Sequence, residues 1–221
     1  MKKIAACSLI VITMVALCAC GTTEKWLLTR AMWSHGYQES TYTYDDRGNV
    51  TEVLETEGWG EDPFWLSIHM KNNKVDYVES NGNELLNAPD SLESDPIYEV
   101  EILVDDDYEF TINFYNDGAC YRKMTWTVNE QGRAVHKSTL LYGDRTRTDW
   151  DCKYDANNIL IEETTTWIDW DTEEVIDKQT TQYYCTYDSN GNPTYLYRVG
   201  DDEYSDEPQC QFIWHLVEVK K

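Results

Sequence analysis

Asp169-Trp170-Asp171-Thr172-Glu173-Glu174 sets four carboxylates within six residues, a density that invites comparison with a calcium loop. Such a loop also needs Gly at its sixth position and a bidentate Glu at its twelfth. Counted from Asp169, those positions hold Glu174 and Thr180, so the segment reads as a solvated acidic turn. The four histidines, His35, His69, His136 and His215, stand singly on separate strands or strand ends, away from any metal-ligand spacing. No GxSxG, HExxH, Walker loop or GxGxxG occurs. A carboxylate pair for glycoside hydrolysis stays open among 41 Asp+Glu, but abundance is no evidence for one. The residues therefore nominate no catalytic group, no metal ligand and no cofactor.

One cysteine is different. Lys2 and Lys3, then the apolar run from Ile4 to Ala16, have the form of a secretory signal, and the run is short of the about 20 residues of a membrane span. It closes on Leu17-Cys18-Ala19-Cys20. This motif resembles the lipobox of bacterial lipoproteins, with Cys18 a mild departure at the second position. The resemblance implies cleavage after residue 19, a lipid on Cys20, and a place on the extracytoplasmic face of a bacterial membrane. The expected organisation is a signal peptide over 1–19, the lipidated Cys20 and a short tether over 20–25, and one domain over 26–221.

Composition then narrows the partners. Loss of Lys2 and Lys3 takes the formal charge from −23 to −25 over 202 mature residues, enough chain for one domain with a core. That charge opposes nucleic acid, whose binding rests on Lys and Arg neutralising phosphates, and it opposes lying flat on anionic lipid. An acidic chain is disordered when it lacks apolar mass, yet this one has 9 Trp, 16 Tyr and 4 Phe. It folds.

The fold class follows from alternation. Runs of β-branched and aromatic residues separate short Asn/Asp/Gly turns that recur about every 12 to 14 residues. Fourteen strands are expected, over about 26–33, 37–44, 49–57, 63–70, 74–80, 97–104, 108–115, 119–128, 133–142, 146–154, 159–167, 175–187, 193–199 and 209–219, with 81–96 as one long loop. This is an all-β, antiparallel up-and-down meander. With no helix to cover its apolar face, the sheet must roll into a barrel-like or two-layer form. Side chains alternate across each strand, which places Phe110, Ile112 and Phe114 on the core face. It also places Cys120 with Met124 and Trp126, Cys152 with Trp150 and Tyr154, Cys185 with Tyr183 and Tyr187, and Cys210 with Phe212, Trp214 and Leu216. Buried thiols are expected there, with a disulfide as the alternative. Cys152 and Cys185, two strands apart at about 10 Å, are out of disulfide reach.

Three turns share a signature: Tyr44-Asp45-Asp46-Arg47-Gly48-Asn49, Tyr154-Asp155-Ala156-Asn157-Asn158 and Tyr187-Asp188-Ser189-Asn190-Gly191-Asn192, with Asn129-Glu130-Gln131-Gly132 a weaker copy. Asp or Asn opens each by accepting backbone N–H groups ahead of it, and Gly or Asn near the end takes positive φ. The tyrosines before the turns are expected to pack inward. These turns resemble the YD repeats of Rhs-type bacterial surface proteins, over about a quarter of the chain. The resemblance implies a β meander of extracytoplasmic, non-catalytic character; it does not extend to toxin enclosure, since no toxin segment follows.

In a meander alternate turns lie at opposite ends, so the YD-like turns share one end with the start of the first strand and the tether. The opposite, distal end collects the longer acidic loops, with Trp59, Trp170 and Tyr204 placed in loops rather than strands. These three are the candidate ligand-binding residues, for a basic protein, a cationic polymer or a glycan. The resulting expectation is a membrane-anchored lipoprotein of the cell envelope acting as a non-catalytic binding module. The alternatives are a lipid or lipoprotein carrier with an apolar groove and, third, an envelope hydrolase. A polar cluster inside one groove would favour the enzyme, an empty apolar cavity the carrier, and a filled core the binding module.

Overall fold

Asp or Asn at one fixed offset builds four copies of a single turn. In each, the Oδ1 of the opening residue accepts the N–H groups two and four residues on: Asp45 from Arg47 and Asn49 at 2.8 and 2.9 Å, Asn129 from Gln131 and Arg133 at 3.0 and 3.0 Å, Asp155 from Asn157 and Ile159 at 2.9 and 2.9 Å, and Asp188 from Asn190 and Asn192 at 2.8 and 2.9 Å. The residue three after the opener takes φ of 81°, 73°, 61° and 82° at Gly48, Gly132, Asn158 and Gly191. Only Gly, or Asn among larger residues, occupies that region readily. A bulge follows each turn, with the register slipping at Tyr44, Val128, Tyr154 and Tyr187. The weaker copy at Asn129 is therefore a full member of the set.

The computed structural model describes residues 22–33, 38–57, 64–81, 99–200 and 207–220. Its fourteen strands are β1 (Thr22–Trp33), β2 (Gln38–Tyr44), β3 (Val50–Glu57), β4 (Phe64–Lys71), β5 (Lys74–Ser80), β6 (Glu99–Val104), β7 (Glu109–Asn116), β8 (Ala119–Val128), β9 (Ala134–Leu141), β10 (Thr146–Tyr154), β11 (Leu160–Asp169), β12 (Val175–Tyr187), β13 (Pro193–Arg198) and β14 (Pro208–Lys220). The expected all-β antiparallel meander is the observed one, rolled into a nearly closed barrel-like sheet. Each strand neighbours the next in sequence except β5, which is not paired with β6 in the sheet. β1 and β14 pair over the whole length from Thr22↔Lys220 to Trp33↔Cys210, and β5 and β6 are the two sheet edges. The edges meet at the end that carries the YD-like turns, where the Val75 N–H donates to Asp107 O at 2.8 Å and Lys74 pairs with Asp107.

Four details depart from the sequence reading. Residues 22–25, read as tether, belong to β1 and pair with 217–220. Leu216 is 47 % exposed, because β1 and β14 continue past the barrel wall toward the turn at Asp46, whose carbonyl accepts the Lys220 N–H at 2.6 Å. Tyr187 is 52 % exposed, whereas Tyr44 and Tyr154 do turn inward and donate their hydroxyls to the carbonyls of Leu28 and Ala134 at 2.6 and 2.7 Å. Cys120 leaves the core face: a bulge at Tyr121 sets it opposite Tyr115, whose hydroxyl donates to the surface carboxylate of Glu101. Cys152, Cys185 and Cys210 keep their core positions, and all four thiols are unpaired.

The barrel interior has two halves. One is closed and apolar: Leu66, Ile68, Phe110, Ile112, Phe114 and Met124 from β4, β7 and β8 are at most 1 % exposed, and Trp126 stacks beside Phe110. The other half, walled by β1–β3, β8–β11 and β14, holds charged and aromatic side chains around open space.

Candidate functional site

That space is a cavity of about 280 Å³. Strand register orders its walls into layers. At the end nearest the YD-like turns, Tyr42 of β2 and Tyr154 of β10 flank Arg133, whose guanidinium lies 5.3 and 5.8 Å from their ring centres. Arg133 is 9 % exposed, brought inside because it follows the Asn129 turn that bends the chain over the barrel rim. It also lines a second recess of about 260 Å³ among the turns, with Trp26, Tyr44 and Trp214.

One inward position further along come two carboxylates. Glu55 is opposite Ser40 and accepts a hydrogen bond from its hydroxyl at 2.7 Å; Glu163 is opposite Cys152. The third layer pairs Lys137 with both Trp126 and Trp150, and Glu57 with Gln38. The Lys137 ammonium rests 4.6 Å from the Trp126 ring centre and 5.5 Å from that of Trp150, a cation–π placement. Trp33 completes this side of the wall.

Burial sets the ionisation of the cavity groups. It raises the carboxyls of Glu55 and Glu163 above the ordinary carboxylate range, partly offset at Glu55 by the Ser40 hydroxyl and at both by Lys137. It lowers the Lys137 ammonium, against the pull of Glu57 and Glu55. The Tyr42 phenol and the Cys152 thiol are each pushed up to about 12. Cys152 is therefore a protonated thiol at neutral pH and a poor nucleophile.

The five charges do not close on one another. Among the described residues, neither Arg133 nor Lys137 has an ion pair or a side-chain hydrogen bond, and the buried indole N–H of Trp126 has no acceptor.

Of the residues singled out in the sequence, Trp170 stands 40 % exposed in the β11–β12 turn, at the end away from the YD-like turns. Its backbone N–H donates to the carbonyl of Arg145 at 2.9 Å. Trp59, Tyr204 and Cys20 lie outside the described residues. The acidic turn after Asp169 is an internal hydrogen-bond knot: Asp169 accepts from the Asp171 and Thr172 amides, and Arg145 and Arg147 pair with Asp171 and Glu173 at 2.6 and 3.0 Å. Among the described residues no three His, Cys, Asp or Glu side chains gather as a metal site. His69 and His136 sit on the outer face, against Tyr77 and Asp151.

The cavity residues were missed in the sequence, though a signal existed. Glu55 and Glu57 share their strand parity with buried Val53, and Lys137 shares its parity with Thr139 and Leu141. No protein-family model matches the chain, and no curated protein matches it.

Proposed function

We propose that this chain is a bacterial lipoprotein, held on the extracytoplasmic face of a membrane through Cys20, whose barrel domain binds a ligand and catalyses no reaction. The lipobox-like motif supports the anchor, and the YD-like turns support the envelope setting. The observation that carries the binding reading is the cavity, where three carboxylates and two cations stand apart between aromatic walls. A buried charge left unpaired is costly, and a ligand that completes it returns that cost as affinity. The small volume, just under the about 300 Å³ at which drug-sized pockets begin, calls for a small molecule. A larger partner, such as a basic protein, cationic polymer or glycan, would meet the distal loops, where Trp170 is exposed.

The polar cluster also favours a second reading, an envelope hydrolase acting through Glu55 and Glu163, whose raised carboxyls suit an acid. The filled apolar half leaves the carrier reading without an apolar groove among the described residues. Two measurements test the proposal. Cys20→Ala should leave an uncleaved, unlipidated precursor; unchanged mass and membrane fractionation would refute the anchor. Calorimetric titration of the purified domain with small polar and charged compounds should find saturable binding that Trp150→Ala weakens. Turnover of a glycoside or ester, lost in Glu163→Gln, would replace the binding reading by the hydrolase.

A further inference from the structure

Opposite charges alternate in depth along the cavity: Arg133 first, then Glu55 and Glu163, then Lys137 with Glu57. Arg133, Glu55 and Glu163 line the same cavity, and Arg133 pairs with neither carboxylate among the described residues. Arg133 is more than nine-tenths buried and, among the described residues, offers its guanidinium to two tyrosine faces. The Glu163 carboxylate accepts no hydrogen bond among the described residues.

A purely anionic ligand would satisfy Arg133 and meet three carboxylates. A purely cationic one would satisfy the carboxylates and meet two cations. A neutral sugar would leave all five charges as they are. Only a molecule with both signs, close together, meets Arg133 and the carboxylates of Glu55 and Glu163 at once. We propose that the cavity binds a small zwitterion of the α-amino acid type. Its carboxylate takes the planar fork of Arg133, its ammonium lies between Glu55 and Glu163, and its side chain runs toward the Trp126 and Trp150 rings. This assignment rests on the cavity-binding reading above. The raised carboxyls of Glu55 and Glu163 agree with it, since an arriving ammonium would favour their ionised form and release protons.

The test is calorimetric titration of the mature chain with L-leucine and L-phenylalanine, each beside its N-acetyl and its carboxamide derivative, and with methyl glucoside and a short alkylamine as controls. Free amino acids should bind saturably. Each derivative should bind at least about tenfold more weakly, the loss of one charge-assisted contact of about 1.4 kcal/mol. Arg133→Gln should erase the preference for acid over amide, and Glu163→Gln should weaken the preference for free over acetylated amine, with circular dichroism confirming that both variants fold. Binding of glucoside, alkylamine or the derivatives as tightly as the amino acids would overturn the zwitterion assignment and keep the cavity as a binding site. Absence of binding by every compound would overturn both.

Discussion

The two halves of the barrel interior are built from the same kinds of strand and turn and the same alternation, yet they end in different states. On β4, β7 and β8 the inward positions hold Leu, Ile, Phe and Met, and side chains meet across the barrel until nothing is exposed. On β2, β3, β9 and β11 the same positions hold Ser40, Glu55, Lys137 and Glu163, and the walls stand apart around about 280 Å³. β8 belongs to both: Met124 closes one side and Trp126 opens the other. Closure of the barrel and filling of the barrel are therefore separate tasks. The apolar half supplies stability through burial, at about 25 cal/mol per Å², and that reserve lets the opposite half hold charges that oppose folding.

Emptying the filled half should do the most damage. Phe110→Ala should cost about 3–5 kcal/mol in urea unfolding, the range for a large aromatic in a packed core. Trp150→Ala, on the wall of the open half, should cost less than half as much. Equal losses would mean that both halves carry the fold alike.

A second pair separates packing from backbone strain. Gly132 and Gly118 share nearly the same φ, +73° and +76°, but a methyl at Gly132 would sit 2.6 Å from Cγ2 of fully buried Val53, whereas one at Gly118 meets nothing. Gly118→Ala should cost about 1 kcal/mol for the left-handed conformation. Gly132→Ala should cost about 2–4 kcal/mol, since overpacking adds to it. Similar unfolding midpoints for the two variants would show that the Asn129 turn can lift off the core freely.

The thiols give a pH test. Burial pushes Cys152 and Cys210 up to about 12 and Cys185 to about 11, from an ordinary 9.0. The folded chain keeps these protons where the unfolded chain releases them. Stability from this source is therefore fully present below about pH 9 and is lost as pH rises from there through 11 and 12. For Cys210, 1 % exposed, the loss should reach about 1 kcal/mol at pH 10. Denaturant midpoints measured between pH 7 and 10.5 should fall, and Cys210→Ala should flatten the fall. A pH-independent midpoint would contradict the burial of these thiols.

The smallest effect is expected at Lys137. Its ammonium is desolvated and lacks a carboxylate partner, so Lys137→Met, of similar length, should raise stability by about 1 kcal/mol while changing ligand binding. A loss of stability would mean that the contacts with Trp126 and Trp150 outweigh the cost of burying the charge.

Much of the fold is legible along the chain, because turn chemistry and alternation are local. Asp45, Asn129, Asp155 and Asp188 each bond amides no more than four residues away, and Phe110, Ile112 and Phe114 declare their face by spacing alone. The misreadings occur where a local rule is broken by a bulge or by length. Tyr121 bulges and turns Cys120 out, and β1 and β14 outrun the barrel and leave Leu216 in solvent. Glu55 and Lys137 were readable as charges on an inward parity, but a lone strand cannot say whether such a charge is met by a partner, by water or by space.

The strands, the repeated turn, the two ends of the meander and the acidic, aromatic-rich character of the domain follow from local sequence, since each depends on neighbours within a few residues. Tertiary structure alone decided that β1 pairs with β14 across nearly the whole chain, that the free edges meet at β5 and β6, and that Arg133, Glu55, Glu163 and Lys137 share one cavity. Those contacts join residues tens to nearly two hundred positions apart. Their energies arise only once the sheet has closed and excluded water from one particular set of side chains.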